Sequence, residues 1–145
     1  MKAVNEMKLT IESRSVNESF ARVAVSAFVA GLDPTVEELS DIKTAVSEAV
    51  TNCIVHAYQN TMGRIYIWVG IFEDSTVKIR IRDRGCGIAN IEQAMTPLFT
   101  SQPQERAGLG FAVMQSFCDK ISVRSTAGKG TTVTLMKKIE SRQRC

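Results

Sequence analysis

The sequence predicts a two-layer α/β sandwich, with a mixed, mainly antiparallel sheet covered on one face by three principal helices. Two observations carry this. Apolar residues recur at helical spacing through residues 16–58, and the pattern then changes to period two over residues 64–82. A third, shorter helical pattern at residues 111–118 is followed by a second pair of alternating runs, which supplies another hairpin for the same sheet.

Taken in order, Met7–Ile11 alternates as an edge strand, and Ser15 or Asn17 can cap a helix from about Val16 to Ala30. Phe20, Val23, Ala24, Ala27 and Phe28 give that helix an apolar stripe, and Gly31-Leu32-Asp33-Pro34 closes it. Thr35 with Glu38 three residues later forms a capping box for a longer helix reaching about Tyr58. Its apolar positions include Val36, Leu39, Ile42, Val46, Ala49, Val50 and Cys53, while Glu48 and Asn52 lie four apart on the more polar side. Arg64–Phe72 and Thr76–Arg82 form an antiparallel hairpin around Glu73-Asp74-Ser75, in the middle of the sheet. Asp83–Gly87 is a turn at the end of the second strand, followed by a short turn or helix near Ile91–Met95. Residues 97–107 lack a regular pattern and end in Gly108-Leu109-Gly110, as a glycine-hinged lid would. Lys120–Ser125 and Thr131–Lys138 close the fold as a hairpin through Thr126–Gly130.

With 145 residues and 44% hydrophobic content, one domain with a core of reasonable depth is expected, and no second boundary or internal repeat is visible. The apolar runs are far too short for a membrane span, and the N-terminus lacks a signal-peptide layout, so a soluble cytoplasmic protein is expected. The net charge of +3 gives little support to direct nucleic-acid binding, although basic residues cluster at Lys78–Arg84 and Lys137–Arg144. Cys53, Cys86, Cys118 and Cys145 are widely separated without a CxxC pair, which favours unpaired thiols over a disulfide or zinc site.

The chemistry lies in an ordered set: Glu48 and Asn52, Asp83-x-Gly85-x-Gly87, Gly108-x-Gly110, and Gly128-Lys129-Gly130-Thr131. Asn52 offers a neutral amide oxygen for magnesium, which needs only one or two protein ligands beside phosphate oxygens and water. Glu48, one turn earlier, can accept a proton or orient a nucleophile near a terminal phosphate. Asp83 can accept from an exocyclic adenine amine, which selects adenine over guanine. Gly108 and Gly110 leave amides free for phosphate oxygens at a helix start, Arg106 is the lid cation placed to reach a terminal phosphate, and Thr131 is expected near the base edge. The set points to ATP or ADP with Mg2+. Neither a Walker GxxxxGK[ST] segment nor a GxGxxG after the first strand is present. Each piece has a bland alternative, namely a solvated helix face for Glu48 and Asn52, a common turn for the DxGxG segment and a solvated side chain for Arg106.

Assembled, these residues resemble the N, G1 and G2 boxes of the GHKL (Bergerat-fold) ATPase superfamily over nearly the whole chain. Ser19-Phe20-Ala21-Arg22-Val23, Asp41–Asn52, Pro97-Leu98-Phe99-Thr100 and Glu105-Arg106 are more closely similar to the anti-sigma-F family of small serine-protein kinases from endospore-forming bacteria. The resemblance implies a homodimer that holds a sporulation sigma factor inactive with ATP bound. It also implies phosphorylation of a serine on an anti-anti-sigma partner. It assigns Glu48 as catalytic base, Asn52 as magnesium ligand and Asp83 as adenine acceptor. Arg106 would contact the γ-phosphate, and Gly85, Gly87, Thr100, Gly108, Leu109, Gly110 and Thr131 would line the nucleotide. Arg22 would contact both protein partners near a dimer-forming N-terminal strand and helix. Ala107 stands where the family usually has serine, and Cys86 where smaller or aliphatic residues are frequent. A sensor histidine kinase shares the scaffold, but the single histidine, His56, follows Asn52 on the same helix instead of occupying a separate upstream helix. A regulator that binds ATP only to order a protein-binding surface, and a related kinase for a stress-response sigma factor, are the other readings.

Overall fold

A computed structural model describes residues 2–59, 61–87 and 110–140. The chain runs β1 (Asn5–Glu12), α1 (Asn17–Val29), a 3-10 turn (Ala30–Leu32), α2 (Val36–Asn52), a π turn (Cys53–Ala57), β2 (Arg64–Ile71), β3 (Thr76–Asp83), α3 (Gly110–Phe117), β4 (Lys120–Thr126) and β5 (Gly130–Lys138). The strands form one sheet in the order β1-β2-β3-β5-β4, and all four pairings among the described residues are antiparallel.

Strand alternation builds the core. Ile11, Ile65, Ile67, Ile79, Ile81 and Leu135 face the helices and are buried, as are Val25 and Val29 of α1, Val46 and Val50 of α2 and Met114 of α3. α2 packs on both α1 and α3 and so forms the centre of the helical layer. Its start is the capping box read in the sequence. Glu38 N–H donates to Thr35 Oγ1 at 3.1 Å, and Thr35 N–H donates to Glu38 Oε1 at 2.8 Å.

Three local expectations are corrected. The cap position of α1 is Val16, with no side-chain capping bond; Asn17 instead donates its side-chain amide to Glu12 O at 2.9 Å. Within the closing segment Gly31-Leu32-Asp33-Pro34, the left-handed residue is Asp33, at φ 52°. The stripe expected to bury α1 is rotated: Ala21, Val25, Ser26 and Val29 are buried, whereas Phe20 and Val23 are 53% and 56% exposed. Asp83 belongs to β3, where it pairs with Ile65 on one side and Thr131 on the other.

Candidate functional site

Glu48 and Asn52 are both half-buried on the last turns of α2. The sequence predicts regular helix to Tyr58, but the α-helix ends at Asn52 and Cys53–Ala57 widen into a π turn, closed by Tyr58 N–H to Cys53 O at 3.1 Å. Widening leaves carbonyls directed out of the helix. Ala57 O accepts from Cys86 N–H at 3.0 Å, and His56 O lies 3.3 Å from the Cys86 thiol. The turn after β3 is thereby fastened to the end of the helix carrying Glu48 and Asn52, a recurrent use of π turns.

Asp83 is the buried carboxylate of the site, 5% exposed. Its Oδ1 accepts from Gly85 N–H at 2.9 Å and Thr131 N–H at 3.2 Å. Its Oδ2 accepts from the Cys53 thiol at 3.5 Å. Burial pushes the Asp83 carboxyl above the usual carboxylate range, and the two amides and the thiol pull against that. Burial, reinforced by the Asp83 charge, pushes the Cys53 thiol well up, so the thiol keeps its proton and is the donor of the pair. Beside them, Thr131 Oγ1 and Ser125 Oγ lie 2.8 Å apart.

Two glycines are required here. A Cβ at Gly85 would overlap the Ala57 carbonyl, and Gly87 combines φ +76° with contact against the Thr126 carbonyl. The second contact brings in the β4–β5 turn, where Gly128 N–H donates to Cys86 O at 2.6 Å. Tyr58 completes the frame, its hydroxyl donating to Arg64 O and accepting from Arg84 N–H, both at 2.6 Å.

The structure therefore joins Asp83, Gly85, Gly87 and Thr131 in one network at the ends of β3 and β5, fastened to the end of α2, whose last two turns carry Glu48 and Asn52. Gly110 is the first residue of α3. Thr100, Arg106, Gly108 and Leu109 lie outside the described residues. Arg22 is elsewhere, on α1, with its Nε 3.8 Å from Glu18 Oε2. Cys53 and Tyr58 are the site residues that sequence reasoning missed: Cys53 read as core, and Tyr58 as a helix terminus. Among the described residues no group of three or more His, Cys, Asp or Glu side chains could hold a metal ion. The neutral carboxamide oxygen of Asn52 would suit magnesium, which takes only one or two protein ligands, whereas a single such oxygen supplies neither the N/S ligands of zinc nor the oxygen cage of calcium.

Comparison with known proteins identifies the family and the fold. Residues 11–137 match the family model described as "Histidine kinase-like ATPase domain". The chain is 54% identical to the "Anti-sigma F factor" of Geobacillus thermodenitrificans over 93% of both chains. It is 57% identical to that of Caldanaerobacter subterraneus subsp. tengcongensis, covering 93% of this chain and 94% of the relative. Among solved structures, the RsbU and RsbW domains of a Mycobacterium tuberculosis protein align with TM-score 0.69 at 20% identity, over 94% of this chain and 33% of the other. The mycobacterial sensor histidine kinase MprB aligns with TM-score 0.57 at 15% identity, over 90% of this chain and 97% of the other, which shows the shared fold. The chain belongs to the histidine kinase-like (GHKL) ATPase family and, within it, to the anti-sigma F factors.

Proposed function

We propose that this protein binds Mg-ATP to hold a sporulation sigma factor inactive, and transfers the γ-phosphate to a serine of its anti-anti-sigma antagonist. The observation that carries the nucleotide site is the Cys53 thiol against Asp83 Oδ2, because it seats the residue after Asn52 directly on the expected base-reading carboxylate. Oδ1 is occupied by two amides, so an adenine amine is received at the remaining lone pair of Oδ2. Magnesium, when bound, neutralises charge between phosphate oxygens, and the Asn52 carboxamide would hold it. Glu48, one turn back, takes the proton of the attacking serine hydroxyl. Gly85, Gly87 and Thr131 shape the base end, while Thr100, Arg106, Gly108, Leu109 and Gly110 complete the phosphate end, with Arg106 on the γ-phosphate.

The protein partners are assigned to α1. Val16, Phe20 and Val23 are 71%, 53% and 56% exposed at helical spacing, which supports burial of this stripe in a homodimer. Arg22 next to it would contact the sigma factor and the antagonist in turn, making the two complexes exclusive. Among the described residues no helix is long and apolar enough to cross a membrane. The test is to capture the sigma factor with the protein in Mg-ATP and then add the antagonist. ATP-dependent capture, followed by release coupled to serine phosphorylation, is expected. Capture indifferent to ATP, or release without phosphorylation, would refute the reading.

A further inference from the structure

The cations Lys78, Arg80, Arg82 and Arg84 are given no task in the proposed nucleotide site, and the sheet register shows what they build. In one row across the helix-free face stand Thr10, Tyr66, Arg82, Thr132 and Arg124; in the next stand Lys8, Trp68, Arg80, Thr134 and Ser122. Arg80 lies over the Trp68 ring at 4.9 Å, and Arg82 and Arg84 lie over Tyr66 at 4.9 and 5.1 Å. The same face carries Lys78 on β3, Lys120 on β4 and Lys138 on β5, and no carboxylate occupies an outward position of β3, β4 or β5. At the strand ends this surface deepens into a cavity of about 330 Å³ whose lining includes Arg82, Arg84, Arg124 and Lys129 and reaches Asp83 and Thr131 of the proposed nucleotide site. Among the described residues none of these four is ion-paired with a carboxylate.

We infer that this face is a second docking surface and that it takes an acidic polypeptide segment. The net charge of the chain is only +3, so the cationic excess is concentrated here and not general. Alternate side chains along β3 place a cation about every 6.8 Å, a spacing that an extended chain with acidic side chains at every second residue matches. Stacking holds each guanidinium flat while its edge N–H groups stay open for carboxylates. The same stacking argues against nucleic acid, since the Tyr66 and Trp68 faces that would receive bases are already covered by arginine. The cation row runs past the cavity to Arg80 and Lys78, longer than a small phosphate ligand needs.

Trp68 is the single tryptophan and reports on this face directly. The full-length protein is titrated with a synthetic Asp/Glu-rich peptide while Trp68 emission is followed, beside a single-stranded oligonucleotide of equal charge and inorganic pyrophosphate. A saturable emission change with the peptide is expected, weakened about tenfold or more by Arg82→Gln with Arg124→Gln at unchanged Mg-ATP affinity and melting temperature. Should the double variant fold poorly, Arg124→Gln alone, which leaves the Tyr66 stack in place, must still weaken the peptide. No saturable response, a response that survives the substitutions, or tighter binding of oligonucleotide or pyrophosphate would overturn the inference.

Discussion

The thiol of Cys53 lies 3.5 Å from Oδ2 of Asp83, joining the residue that follows the α2 helix to a carboxylate on the central strand of the sheet. In the proposed site the residues on either side have separate tasks: Glu48 and Asn52 are assigned to the phosphate end, and Asp83 to the base. The contact thus fixes the distance between two halves of one proposed site that are 30 residues apart in the chain.

As the proposed adenine acceptor, Asp83 is expected to make nucleotide binding sensitive to acid. Burial raises its pKa above the ordinary 3.8, so it takes up a proton at a higher pH than a free carboxyl and stops accepting from adenine. ATP affinity therefore falls as pH drops through the raised value, and Asp83→Asn loses both affinity and this pH dependence. The stability effect has the opposite sign. A carboxyl whose folded pKa is raised contributes stability that is complete below 3.8 and is lost as pH rises through the folded value. Acid loss of binding without loss of fold separates the two, read by nucleotide titration and circular dichroism on the same samples.

Asn52→Ala removes the carboxamide proposed for magnesium. ATP affinity measured in magnesium is expected to fall about tenfold or more, equivalent to about 1.4 kcal/mol, while affinity in EDTA stays unchanged. Equal losses in both conditions would count against a metal ligand.

Tyr58→Phe keeps the buried ring and deletes the hydroxyl that joins Arg64 O to Arg84 N–H. Leaving these groups without a partner costs about 1–3 kcal/mol, visible as a lower denaturation midpoint at unchanged slope. A midpoint equal to wild type would remove Tyr58 from the frame of the site.

Cys86 is exposed, with its thiol against His56 O and Gly87 O. Saturating ATP is expected to slow its alkylation, measured by mass spectrometry against time. The exposed thiol makes this a direct footprint, and rates identical with and without ATP would place Cys86 outside the protected pocket.

Much of this architecture is legible in the chain because the signals are local. The Thr35/Glu38 box starts α2 by itself, and Glu73-Asp74-Ser75 turns the hairpin, with Ser75 at φ 68°. The rotated face of α1 was not legible, because Phe20 and Val23 are as apolar as the residues that are buried, and periodicity alone does not say which apolar stripe meets the sheet. Nor was the π turn, since its carbonyls find their partner at Cys86, far away in sequence. Asp83 read as the end of a strand because a carboxylate breaks the alternation; the strand tolerates it through the amides of Gly85 and Thr131. The cluster at Lys78–Arg84 was visible as charge, but the stacking on Trp68 and Tyr66 depends on the β2–β3 register.

The most direct measurement is single-turnover transfer of labelled γ-phosphate from Mg-ATP to the anti-anti-sigma protein by wild type and Glu48→Gln, with ATP affinity measured on both. Removal of a general base is expected to slow transfer by about 10²–10⁴-fold at nearly unchanged affinity. Equal transfer rates would contradict the role of Glu48, and an absence of transfer by the wild type with intact ATP and sigma binding would make this an ATP-ordered binding module instead of a kinase.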